Sequence, residues 1–134
     1  MAEVLSQDVR AISGPVIVTQ ETETLVISCA ALALPSDHAK AVIRGWLELT
    51  VPLDTAAVTI AIIAGRTLGG RVVGTKTPEA GDFTVGGTAH FDIEVVDVID
   101  GAGGAQYSMS VQLTGATADG TVEAALIDTT LLSG

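Results

Sequence analysis

Residues 90–114 read HFDIEVVDVIDGAGGAQYSMSVQLT, and the spacing of their apolar side chains decides the fold class. Phe91, Ile93 and Val95 alternate with His90, Asp92 and Glu94; after a glycine-rich break, Tyr107, Met109, Val111 and Leu113 alternate with Ser108, Ser110 and Gln112. A period of two gives each run one covered and one wet face, as in antiparallel strands packed on a core from one side.

Outward from this pair the same grammar repeats. Val58, Ile60 and Ile62 form one strand with small residues between them, and Ile43, Leu47, Leu49 and Val51 form another. Turn signals fall at Ser13-Gly14-Pro15, Pro35-Ser36-Asp37, Pro52-Leu53-Asp54, Gly69-Gly70, Gly81-Asp82, Gly86-Gly87, Asp100-Gly101 and Asp119-Gly120. Short strands punctuated this closely predict an all-β antiparallel two-sheet sandwich, jelly-roll-like, with about eight strands: near 15–20, 24–33, 41–51, 57–64, 70–76, 88–98, 106–114 and 121–132. At 134 residues the chain suits one sandwich domain over 14–134, with residues 1–13 as an N-terminal arm or an edge strand.

Composition narrows the function. Hydrophobic residues make up 48% and charged ones only 16%, with a mean hydropathy of +0.52, so too few charges remain to cover a monomer, and self-association is expected. All six basic residues fall in 1–76 against seven acidic ones, whereas 77–134 holds nine acidic residues and no Lys or Arg. That half repels phosphate backbones, which argues against nucleic-acid binding. The apolar run LVISCAALAL (25–34) is about half the length of a membrane span, and Glu21 and Glu23 stand where an export signal carries basic residues, so it reads as a buried strand, with an intracellular site of synthesis or release by a route other than secretion expected.

Candidate chemistry is sparse. The one cysteine, Cys29, lies in that apolar run and reads as a buried inert thiol. There is no G-x-S-x-G elbow, and the only two histidines, His38 and His90, read as surface residues, too few for the metal centre of a cupin-like enzyme. Asp82, Asp97, Asp100, Asp119 and Asp128 lack the dense spacing of a calcium loop and read as turn formers, so neither metal nor cofactor is expected. Of the four aromatic residues, Tyr107 and Phe91 take core phases, which leaves little for a sugar platform. Trp46 differs. In AVIRGWLELTV it shares the polar phase with Arg44 and Glu48 while Ile43, Leu47 and Leu49 take the apolar one, the composition of an interface anchor; the bland alternative is a Trp covered by a loop or by the N-terminal segment. Val4, Leu5, Val9 and Ile12 of that segment are the other candidate contact residues, to a neighbouring subunit.

The C-terminal pattern Gly104, Tyr107, Val111, Thr114-Gly115-Ala116 and Gly120-Thr121-Val122 resembles the small decoration, or cement, proteins that coat tailed-phage capsids. The strand, glycine turn and strand of IIAGRTLGGRVVGT (62–75) is similar in kind. The resemblance implies a non-enzymatic protein on the outer capsid surface, with the major capsid protein and itself as partners, often as a trimer that ties capsomers together. The alternative is a receptor-binding or adhesive sandwich domain from a tail fibre or cell-surface protein.

Overall fold

Runs rich in Val, Ile, Thr and Leu, broken by Gly, Pro and Asp, become eleven β-strands in the computed structural model, which describes residues 4–34, 39–78, 83, 86–99 and 103–133. No helix occurs among the described residues. One sheet has the order β1-β11-β5-β8, built from β1 (Val4–Ala11), β11 (Gly120–Ser133), β5 (Ala39–Thr50) and β8 (Thr88–Ile99), with β2 (Val16–Val18) also paired to β11. The second has the order β3-β10-β6-β7, from β3 (Thr24–Ser28), β10 (Tyr107–Thr114), β6 (Ala57–Ala64) and β7 (Val72–Lys76). Every pairing is antiparallel. Apart from the β6–β7 hairpin, the main strands alternate between the sheets along the chain, which is the jelly-roll winding the alternation pointed to.

The strand count rises from about eight to eleven for two physical reasons. The expected 24–33 strand is interrupted after Ser28: the Asp8 carboxylate accepts the Ala30 N–H at 2.9 Å, and pairing resumes only where β4 (Leu32–Leu34) meets β9 (Gly103–Ala105). The N-terminal segment also forms a strand in the first sheet. β1 pairs with β11 from Val4 opposite Leu132 to Ala11 opposite Leu126; Ser13-Gly14-Pro15 then bends the chain, and β2 continues along β11 from Val122 to Gly120. The turns at Pro35-Ser36-Asp37, Gly81-Asp82 and Asp100-Gly101 lie outside the described residues.

The core is the layer between the inner faces. Ile43, Leu47 and Leu49 of β5, Ile127 and Leu131 of β11 and Phe91 and Ile93 of β8 meet Val58, Ile60 and Ile62 of β6 and Met109, Val111 and Leu113 of β10. Gly45 sits on the inner face of β5 because Met109 fills its place: a Cβ there would lie 2.9 Å from the Met109 sulfur. Phe83 packs edge-on against Phe91, and Cys29 is buried between β3 and β4 with the Tyr107 N–H donating to its sulfur. This packing leaves the opposite side of the first sheet uncovered.

Candidate interaction face

The outer face of the first sheet is set by register. Directly opposed residues on antiparallel strands share a face, so four rows can be followed across β1, β11, β5 and β8: Val4, Leu132, Lys40, Val98; Gln7, Thr130, Val42, Val96; Val9, Asp128, Arg44, Glu94; and Ala11, Leu126, Trp46, Asp92. Ala124, Glu48 and His90 follow, and Ile17 of β2 joins through Thr121. Five of the eight large, exposed hydrophobic residues among the described residues, Val4, Val9, Ile17, Val96 and Val98, stand on this one face, which is therefore unusually apolar for a solvated sheet.

Five of the seven residues expected at an interface come together here: Trp46, Arg44, Glu48, Val4 and Val9. Leu5 and Ile12 do not; both are half-buried against the core, as the pleat of β1 and the Ile12 N–H donating to Ala125 O dictate. Trp46 is half-buried and lies over its own sheet, its indole stacked on the His90 ring at 5.6 Å and 23°. His90 Nε2 is 3.1 Å from Asp92 Oδ1, and Nδ1 is 3.9 Å from Glu48 Oε1. Arg44 Nε donates to Glu94 Oε2 at 2.7 Å, and Gln7 Nε2 to Asp128 Oδ1 at 3.0 Å. Between Arg44 and Trp46, over the Gly45 backbone, runs an open groove of about 510 Å³ bounded by Asp92, Glu94, Leu126 and Asp128.

Val96 and Val98 were not singled out from the sequence, although a signal was there. After Val95 the β8 phases invert: Asp97 occupies the apolar phase while Val96 and Val98 occupy the polar one. Each half of the inversion has a structural cause. The valines extend the outer face; Asp97 turns inward to a polar cluster at the rim of the two sheets, where Arg71 donates Nη1 to Oδ1 at 3.1 Å and Nη2 to Oδ2 at 2.8 Å, and the Tyr107 hydroxyl donates to Oδ2 at 2.8 Å. Burial pushes the Asp97 carboxyl up, but the bonds from Arg71 and Tyr107 with the Arg71 charge outweigh it and hold it below the usual carboxylate range. Burial first, then the bond to Asp97, pushes the Tyr107 phenol well above its ordinary value. With both oxygens engaged, Asp97 acts as a clamp between sheets. The neighbouring cleft of about 400 Å³ is lined by this cluster and by Ala64, Ala105 and Gln106.

The remaining polar candidates have local roles. Asp119 accepts the Gln20 N–H at 3.0 Å, and Asp128 Oδ1 accepts Gln7 and Thr130. Asp82, Asp100 and His38 lie outside the described residues. Among the described residues no three His, Cys, Asp or Glu side chains gather as a metal site would require.

No family model matches the chain, and no curated protein matches it. Among solved structures, the fold is similar to a chain of particles derived from infectious bursal virus, with a TM-score of 0.56 and 11% identity over 96% of this chain and 36% of that one. It is likewise similar to a chain of the IBDV viral particle, with a TM-score of 0.55 and 12% identity over 94% of this chain and 34% of that one. A chain from the Bacillus endospore appendages aligns at a TM-score of 0.46, with 19% identity over 97% of this chain and 89% of that one. This chain spans about a third of the length of the viral chains. At such identities the likeness is one of fold alone.

Proposed function

We propose that this chain is a non-enzymatic structural protein of a tailed-phage virion. It binds the outer surface of the capsid as a trimer and bridges neighbouring capsomers, with the major capsid protein and its own copies as partners. The observation that carries the reading is the outer face of the β1-β11-β5-β8 sheet. Four strands about 4.8 Å apart and 8 to 14 residues long offer roughly 700 Å², close to the ~800 Å² per partner of a standard stable interface. Its aliphatic residues surround a half-buried Trp and charged pairs, the make-up of a contact surface with an aromatic anchor. The acidic C-terminal half suits the outside of a shell better than a lumen filled with DNA, which would repel it.

Cosedimentation with empty phage shells tests this. The expected result is saturable, stoichiometric binding that Trp46→Ala weakens. Ligand-dependent binding to glycans with no retention on shells would overturn it in favour of the adhesive alternative.

A further inference from the structure

We propose that the groove beside Trp46 receives the Arg66 side chain of a second copy of this chain. The inference rests on the reading of this face as a protein contact surface and names its self-association partner.

The groove is shaped for one planar cation. Trp46 and Arg44 are two residues apart on one face of β5, roughly 7 Å along the strand, which is room for one planar group at van der Waals contact with each. His90 covers the other side of the indole and is absent from the groove wall, so the indole face toward the groove is free to stack. Three carboxylates, Asp92, Glu94 and Asp128, line the groove against the single guanidinium of Arg44, which Glu94 already neutralises. Both bonds to Asp128 fall on Oδ1, leaving Oδ2 for a further donor. A guanidinium here gains a cation–π contact and carboxylate partners at once.

The chain holds six basic residues, and four are engaged within its own fold: Arg10 with Asp8, Arg44 with Glu94, Arg71 with Asp97 and Lys76 with the Asp92 carbonyl. Lys40 and Arg66 have no hydrogen-bonding or ionic partner among the described residues, but Lys40 carries no planar group and stands on the grooved face itself, which leaves Arg66. Arg66 is exposed on the turn between β6 and β7, two residues before Leu68, which is 42% exposed. Seated in the groove, Arg66 brings Leu68 toward the apolar rows of the face. The turn lies at one end of the sandwich and the groove on its flank, so the contact is heterologous: each copy gives its turn to one neighbour and its groove to another, and three such contacts can close a trimer.

Mixing two variants tests this. Arg66→Glu removes the donor but keeps the groove; Asp92→Lys, at a side chain 72% exposed, spoils the groove but keeps Arg66. Mass measurement by light scattering is expected to show that each variant self-associates at least about tenfold more weakly than the natural chain. An equimolar mixture should recover a heterodimer, and at a dilution where the natural chain is also monomeric Arg66→Glu and Asp92→Lys should melt close to it, which shows that both are folded. The proposal is overturned if the natural chain stays at 13.5 kDa at all concentrations, if Arg66→Glu assembles normally, or if the mixture remains monomeric. Trp46→Ala supplies a second groove variant and should behave like Asp92→Lys in the mixture. Recovery in the mixture together with failure to bind empty shells would uphold this contact and overturn the virion reading, so the two fail separately.

Discussion

Thr129 points its hydroxyl into the core from β11, fully buried, and Oγ1 meets no hydrogen-bond partner. A buried hydroxyl without a partner costs about 1 to 3 kcal/mol. Thr129→Val keeps the shape and removes that cost, so calorimetry is expected to show a melting temperature higher by about 4 °C for ~1 kcal/mol gained; a lower value would mean that the hydroxyl is bonded. Trp46 carries the opposite expectation. Its truncation to alanine leaves Ile43, Leu47 and Leu49 in place and loses one ring stack, worth about 0.5 to 1.5 kcal/mol of folding. Association should weaken at least about thirtyfold, the effect of roughly 2 kcal/mol at an anchor; a collapsed melt with normal association would place Trp46 in the core. The outward phase of Trp46 was legible because its apolar neighbours on β5 fix the inner phase. The pairing of Asp97 with Arg71 and Tyr107 was not, since it joins different strands across the two sheets and no local spacing encodes it.

The clamp that these three residues form ties β8 of one sheet to β10 of the other. Asp97 has a folded pKa below its unfolded value, so its contribution is complete above the unfolded carboxylate pKa and is lost as pH falls through the folded value. Tyr107, shifted upward, contributes below its unfolded value and loses that contribution as pH rises above it. Chemical denaturation across pH is expected to show the loss of stability below about pH 4 flattened in Asp97→Asn and the loss above about pH 10 flattened in Tyr107→Phe; profiles parallel to the natural chain would contradict the clamp. β1 makes a second case. Eight strands already form a sandwich in the sequence, so residues 1–13 read as an arm or an edge strand. Pairing of β1 along β11 is long-range and depends on the bend at Ser13-Gly14-Pro15, which lets β1 and β2 share one partner. Deleting residues 4–11 exposes the β11 edge and removes Leu5 from the core margin, so the melting temperature should fall. An unchanged melt would show that the strand adds nothing to the fold.

For the whole molecule, alternation made the two-sheet architecture readable, whereas the shared outer face had to wait for register. Val4, Ile17, Trp46 and Val98 lie on four different strands, and only the pairings of β1, β2, β5 and β8 through β11 bring them to one surface. On the proposed function this surface is covered in the assembled particle. Electron microscopy of the native particle tests it most directly. The expected map shows the jelly roll outside the shell, with Trp46, Val9 and Val96 buried against the capsid or a neighbouring copy. A particle that lacks the chain, or a bound chain whose β1-β11-β5-β8 face looks out to solvent, would contradict it.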